Sequence, residues 1–306
     1  MPDEIAHRPR RSKLVSVEDA MKAIHDGMYI AIAGHLFSNK PSHLVRQIAK
    51  KRVKNLTVST SPYASYDIDL LIGTGCIKKT ICGNVGFEYL GLAPNYRNAC
   101  QKGLIEAALG DEATIIGAYM ASVEGIPYHP IASIRGSDVL KMTTLAKEYI
   151  GPYGDKLIAV KALTPEVCII HAQESDEYGN IRFKGPIYFD IIMAKASKKV
   201  IVSVDELVSN QKVRSEPWRT SIPGFKVDMV VHIPYGAHPC LSTGLYDHDE
   251  EHIKDYINRG RQSLSGGDTS AYQEYLRKYV YEPVDIYDYI ERVGGFKHMQ
   301  TLRRLP

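Results

Sequence analysis

The chain lacks any apolar run long enough to cross a bilayer. Apolar stretches such as Met28–Ala33 and Met229–Val231 fall far short of the roughly 20 residues a membrane helix needs. Its five cysteines (Cys76, Cys82, Cys100, Cys168 and Cys240) are odd in number and form no CxxC pair. Cys82 and Cys168 lie inside apolar, strand-like runs, so the reading is buried free thiols in a reducing compartment. Neither sign of charge dominates: 38 basic against 35 acidic residues leave a net charge of +3. That balance argues against nucleic acid and against an anionic membrane surface as partners. The opening MPDEIAHRPRRSKL is charged where a signal peptide would be apolar, so a soluble cytoplasmic protein is expected.

Familiar fingerprints are missing as well. There is no P-loop signature, no nucleophile elbow, no HExxH and no GxGxxG after the first strand, which argues against four common enzyme classes. Gly73-Thr-Gly75 follows a helical segment and reads as its stop. His248 and His252 stand among Asp247, Asp249, Glu250 and Glu251, a run that reads as a solvated helix start favoured by the helix dipole. No metal site is expected.

What is present is a regular alternation. Ser16–Asp19 resembles a helix cap, with Ala20, Met21 and Ile24 as an apolar stripe and Gly27 as the stop. Met28–Ala33 reads as a strand buried on both faces, Pro41–Lys51 as a helix and Asn55–Ser59 as a strand, together a βαβ unit. Helices are expected at Tyr66–Ile72, Pro94–Lys102, Asp111–Val123 and Ile187–Ala196. Strands are expected at Ile77–Cys82, Leu104–Leu109, Val167–Ala172, Lys199–Val204 and Val227–Ile233. Ile115, Ile116, Tyr119, Met120 and Val123 would form the apolar face of the helix that Gly125 closes. The last 60 residues look helical, broken at Gly266-Gly267, Pro283 and Gly294-Gly295. Without repeat or linker, residues 1–306 form one α/β domain: an open, mostly parallel sheet, flanking helices and a helical C-terminal layer. Residues 1–14, with Arg8, Arg10 and Arg11, would be an exposed arm. Tyrosine outnumbers phenylalanine twenty to six, which no motif explains.

The turn after the first strand, Ala33-Gly34-His35 through Asn39-Lys40-Pro41, lies where an open α/β sheet binds ligands. Gly34 would let backbone N–H groups approach an anion or a thioester oxygen. This segment resembles the N-terminal signature of the class I coenzyme A transferases, an acidic or amide residue with glycine, three apolar residues, Gly-Gly-Phe and Gly-x-Pro. It departs at Ala33, His35 and Asn39. Val167–Gln173, the turn at Asp176–Asn180, Ile181–Gly185, Asp228–Val231, Pro234–Pro239 and Gly244–Asp247 resemble the alpha subunit of glutaconate CoA-transferase. The similarity runs from about Val15 to the final helix.

The resemblance implies a reaction in which a glutamate attacks an acyl-CoA and becomes a glutamyl-CoA thioester, from which an incoming carboxylate collects the CoA. In the family that glutamate belongs to the beta subunit, in a Ser-Glu-Asn-Gly-like motif absent here; Glu177-Tyr-Gly179 sits in a turn, where Glu177 would face solvent. A beta-subunit partner is therefore implied, in a heterodimer or heterotetramer, with coenzyme A entering as part of the substrate and no tightly bound cofactor. Gly34, His35, Asn39, Ser61, Asn84, Gly86 and Glu88 would line one wall of the acyl pocket. Val85, Gly86 and Phe87 replace small hydroxyl-bearing residues of the glutaconate enzyme, which argues against glutaconate as substrate. Glu112 divides the possibilities. It starts a helix, where its charge suits the dipole, and Asp111-Glu112 resembles the Asp-Glu pair of a related branch, the alpha subunit of a steroid-ring-opening acyl-CoA hydrolase. Glu112 could then be the base for hydrolytic carbon–carbon cleavage of a cyclic dicarbonyl CoA thioester. A non-catalytic subunit that shapes its partner's pocket is the third reading. His171 and His238 read as hydrogen-bonded structural histidines.

Overall fold

Short apolar runs become the strands of a sheet in the computed structural model, which describes residues 10–266 and 268–303. Arg8 and Gly267 lie outside the described residues. In chain order the strands are β1 (Tyr29–Ile32), β2 (Leu56–Thr60), β3 (Tyr63–Ala64), β4 (Ile77–Cys82), β5 (Asn84–Val85), β6 (Glu106–Leu109), β7 (Tyr128–Ile131), β8 (Ala146–Ile150), β9 (Lys156–Lys161), β10 (Val167–Ser175), β11 (Ile181–Arg182), β12 (Lys199–Leu207) and β13 (Met229–His232). The central sheet runs β13-β12-β10-β1-β2-β4-β6, with β11 set on β10. Every neighbouring pair on that path is parallel. The chain steps outward from β1 through β2 and β4 to β6, then returns to the other side of β1 and steps outward again. The order therefore reverses between β1 and β10, a topological switch point.

Alternation along the central strands divides the core into two layers. Ile30 and Ile32 face one layer with Leu44, Val45 and Ile48 of the helix Ser42–Lys50. Ala31 and Ala33 face the other, where Ile115, Ala118 and Tyr119 of the helix Glu112–Glu124 and Met193 and Ala194 of the helix Asp190–Ala196 pack. Small residues on that face of β1 let these helices approach the sheet. Fully burying each large aliphatic side chain contributes about 1.5–3 kcal/mol. The helical C-terminal layer, opened by Glu250–Ser265, covers the first face.

That layer accounts for the excess of tyrosine. Tyr66, Tyr256, Tyr272, Tyr275 and Tyr289 are buried there. Their hydroxyls satisfy one another and the buried Asp69: Tyr256 donates to it at 2.7 Å, and Asn95 at 2.9 Å. Phenylalanine would leave those acceptors bare, at about 1–3 kcal/mol each.

Several expectations need correction. The segment 126–161 is a three-stranded antiparallel sheet, β7-β9-β8, which no expectation from the sequence covers. Lys13 and Leu14, the end of the expected exposed arm, are tethered to the sheet, although Leu14 stays exposed. Leu14 bridges Val230, and Lys13 donates to the carbonyls of Gly224 and Val227 at 2.6 and 2.5 Å. Arg10 and Arg11 are exposed as expected. The helix expected from Ile187 begins at Asp190. On the helix Glu112–Glu124 the buried face is Ile115, Ala118, Tyr119 and Ala121, while Val123 is exposed.

Candidate active site

Parallel strands place their following loops side by side on one edge, and the loops after β1, β2, β4 and β6 share it. The loop after β1 turns on Gly34, whose φ of +79° and lack of space exclude a side chain: a Cβ would lie 2.5 Å from the carbonyl oxygen of Asn39. Its carbonyl accepts from the Ser61 hydroxyl at 2.6 Å and from the Lys40 ammonium at 3.1 Å. Its N–H donates to the Asp190 carboxylate at 3.0 Å. Of the backbone N–H groups that the turn would offer to a thioester oxygen, that of Gly34 is engaged by Asp190.

Asn39 and Ser61 lie beneath the surface instead of lining a wall. Asn39, with φ +54°, accepts at Oδ1 from Gln173 (2.8 Å) and from the Thr243 N–H (3.0 Å). Both are 1% exposed, so each holds loops together. Gly86 is also buried, donating its N–H to Ala64 at 3.0 Å. Glu88 is exposed at φ +50° and opens the short turn Glu88–Leu90. Val85 and Phe87 are buried in the core. Neither lines the open cleft described below.

An open cleft of about 270 Å³ lies on the same edge, lined among others by Pro62, Tyr63, Asn84, Asp111, Glu112 and Val139. The structure thus brings Asn84 and Glu112 together with Tyr63. Tyr63 and Asn84 are register partners in the parallel pair β3–β5. Asp111 caps the helix Glu112–Glu124, its Oδ1 accepting from the Thr114 N–H at 2.9 Å and from the Thr114 hydroxyl at 2.6 Å. Glu112, the first helical residue, is exposed and makes no hydrogen bond or ion pair among the described residues. Its carboxylate sits at the positive end of the helix dipole and is free to meet a ligand.

Tyr63 connects this cleft to the switch point. The half-buried His35 ring meets Tyr63 edge-on at a centroid distance of 5.2 Å and stacks on Tyr188 at 4.6 Å and 15°. Burial, helped by the charge of Lys40, lowers its pKa to about 4, so the imidazole is neutral near pH 7. Nδ1 is enclosed without a hydrogen-bond partner. Tyr188 lies 153 positions away in the chain, so nothing local in the sequence announces the stack.

The other histidines are engaged in the scaffold. His171 is held between Ser203 and Asp205, each at 2.9 Å. His248 precedes the helix that carries His252 and bonds Tyr89 at 2.9 Å; His252 bonds Tyr275 at 2.7 Å, so the two do not converge. A different group, His238, Asp249 and His298, places three ligand-type atoms within 4.8 Å of one another. Asp249 Oδ2 accepts from His238 Nε2 at 3.1 Å and from His298 Nε2 at 2.5 Å. Burial opposes ionisation of Asp249, but those bonds outweigh it and hold the carboxyl well below its usual range. A cation there would displace both bonds, beside the buried Arg46 that donates to the His238 carbonyl at 2.6 Å. As it stands the group clamps the helix Gly295–Thr301 to the core.

Comparison with known proteins bears on the family and the fold. Residues 14–232 match the family model described as coenzyme A transferase. An uncharacterized protein of Archaeoglobus fulgidus is 35% identical over 97% of the chain, which spans only 66% of that protein's length. A glutaconate CoA-transferase chain of Acidaminococcus fermentans is 30% identical, over 93% of this chain and 92% of its own. The crystal structure of that coenzyme A-transferase superposes with a TM-score of 0.88 at 28% identity, covering 96% of each chain. The cholesterol ring-cleaving hydrolase IpdA subunit of Rhodococcus jostii is 30% identical over 95% of this chain and 99% of its own.

Proposed function

The chain belongs to the coenzyme A transferase family, and from that premise we propose that it is the alpha-type subunit of a heteromer moving coenzyme A between an acyl-CoA and a carboxylic acid. The observation that carries the reading is the convergence of Tyr63, Asn84 and Glu112 in one open cleft at the carboxyl edge of the sheet. Asp111 in that cleft is spent as a helix cap. The thioester-forming glutamate comes from a beta-type partner, which closes the open side of the cleft. Five free thiols, four of them buried, suit assembly in a reducing cytoplasm.

In this reaction the partner's carboxylate attacks the acyl carbonyl, and the electron pair moves to the carbonyl oxygen before the CoA thiolate leaves. Coenzyme A then adds to the enzyme's acyl carbon, and the freed acid departs. A second carboxylate reverses the sequence, so two carbonyl oxygens in turn carry negative charge. The Asn84 amide and the Tyr63 hydroxyl are polar groups this chain offers from the cleft wall. Glu112 sets the polarity of the wall. Because its carboxylate is free and beside the cleft, it is also the group that would serve as base if water replaced the acceptor, as the name of the ring-cleaving relative suggests.

The test is free-thiol release by the chain co-expressed with its partner, given acyl-CoAs without a carboxylate acceptor. Transfer requires at most one equivalent of thiol, becoming catalytic exchange when carboxylate is added. Ring-opened product formed from a cyclic dicarbonyl acyl-CoA, read by mass as a gain of water with the thioester intact and abolished by Glu112→Gln, would replace transfer by hydrolysis, since carbon–carbon cleavage frees no thiol. Activity of both kinds that survives Glu112→Gln, Asn84→Ala and Tyr63→Phe would leave this chain a structural subunit only.

A further inference from the structure

We propose that His35 is a catalytic residue of this chain, its neutral imidazole donating a hydrogen bond from Nε2 to the acyl oxygen of the bound thioester. The proposal rests on the transferase reading and assigns a specific donor within it.

Position is the first argument. His35 follows Gly34 at the end of β1, the strand at which the sheet order reverses. Ligands of open α/β sheets lie in the crevice formed at that reversal. Tyr63 touches the His35 ring edge and also lines the cleft that holds Asn84 and Glu112. The imidazole therefore packs against a residue that lines the cleft.

Orientation is the second. Stacking on Tyr188 at 15° covers one face of the imidazole, so polar contact is left to its edge. Nδ1 is enclosed and unbonded. An enclosed lone pair left unmet costs less than an enclosed N–H left unmet, which places the proton on Nε2. The ring is only half buried, so that N–H has a route to a ligand.

Chemistry is the third. Burial and Lys40 keep the ring uncharged near pH 7. A neutral donor does not form an ion pair with the incoming carboxylate, and so does not hold it in the ground state. Its bond strengthens as charge develops on the acyl oxygen, which is the differential stabilisation catalysis requires. Phenylalanine, which the family signature carries here, offers the same stacking surface and no donor.

The experiment uses the assembled heteromer with an acyl-CoA and a carboxylate acceptor. His35→Phe keeps the stack and removes the N–H; His35→Gln restores an amide N–H. The expected result is a fall of about 10²–10³-fold in kcat for the phenylalanine variant, with KM within about threefold. The glutamine variant should recover at least tenfold of that loss. Thermal midpoints of the three proteins should agree. Phenylalanine activity within threefold of wild type, or equal losses in both variants, overturns the assignment. Should the variants fail to assemble, isotope-edited infrared spectra of a ¹³C-labelled thioester bound to the wild-type heteromer decide. A carbonyl band lowered against its position in water, and still lowered in the Asn84→Ala and Tyr63→Phe heteromers, supports donation from His35, and an unshifted band refutes it. If wild type hydrolyses instead of transferring, the transferase reading fails, while the same variants still measure His35 on the hydrolytic rate.

Discussion

The ammonium of Lys40 lies 3.0 Å from a carboxylate oxygen of Asp67, and neither side chain is exposed. The same ammonium donates to the Gly34 carbonyl at 3.1 Å, while Asp67 accepts from the Ser65 N–H at 2.9 Å. One buried pair thus ties the loop after β1 to the start of the helix Tyr66–Gly73. Removing one partner of such a pair costs about 3–5 kcal/mol, because the other charge is left in the interior. Lys40→Met is expected to destabilise the chain by that amount, read from urea unfolding. A loss under about 1 kcal/mol would mean that water reaches Asp67.

Gly34→Ala tests the turn itself. A left-handed backbone costs an L-residue about 1–2 kcal/mol, and the new methyl would meet the Asn39 carbonyl at 2.5 Å. The loop must therefore shift, taking His35 with it. Lower stability and a loss of activity larger than that of Asn84→Ala are the expected outcome in paired unfolding and turnover assays. An alanine variant with native turnover would show that the loop geometry is dispensable.

The His35 imidazole should also leave a mark on the pH dependence of stability. Burial lowers its pKa in the folded state from 6.5 to about 4, so the unfolded chain binds the proton more tightly. The contribution is intact above pH 6.5 and is lost as pH falls toward 4. Relative to His35→Phe, wild type should therefore lose stability between those two values. Urea midpoints at pH 7, 5.5 and 4.5 give the comparison, and a constant difference would contradict a desolvated ring.

Thiol reagents offer a check on the core. Cys100 is exposed, whereas the other four cysteines are buried, and burial pushes the Cys82 and Cys240 thiols up to about 12. In the isolated native chain one thiol should react quickly with a disulfide reagent, and five after denaturation. More than one fast equivalent would point to openings around β4 or the loop after β13.

The central strands were legible because a sheet covered on both faces requires unbroken apolar runs, as in Tyr29–Ile32 and Val167–Ala172. The antiparallel sheet was not, since Tyr128-His-Pro-Ile131 and Ala146-Lys-Glu-Tyr-Ile150 are mostly exposed or half-buried and mix polar with apolar side chains. Asn84 could be placed on the sheet edge from its position after a strand, whereas Glu112 stood out through its resemblance to the Asp-Glu pair of the related branch. Asn39 and Ser61 could be located but not assigned, because their burial depends on Thr243, Gln173 and Gly34 arriving from other segments. Tyr63 gave no signal beyond its loop, and the partnership of His35 with Tyr188 exists only after β1 and β10 have met.

That meeting has a kinetic consequence. β1 and β10 lie at the middle of the sheet, yet Ile30 pairs with Val167 across the whole outward-and-back excursion of the chain. The half built around β2, β4 and β6 can gather locally, as can the half around β12 and β13, but the seam between them closes a very long loop. Seams of that kind form slowly, because chain entropy is lost before any contact compensates for it. Until it closes, the edges of β1 and β10 are unpaired strands rich in isoleucine, open to other chains. During synthesis β1 must wait for about 140 further residues before its second neighbour exists, and its open edge is exposed to pairing with other chains throughout that interval.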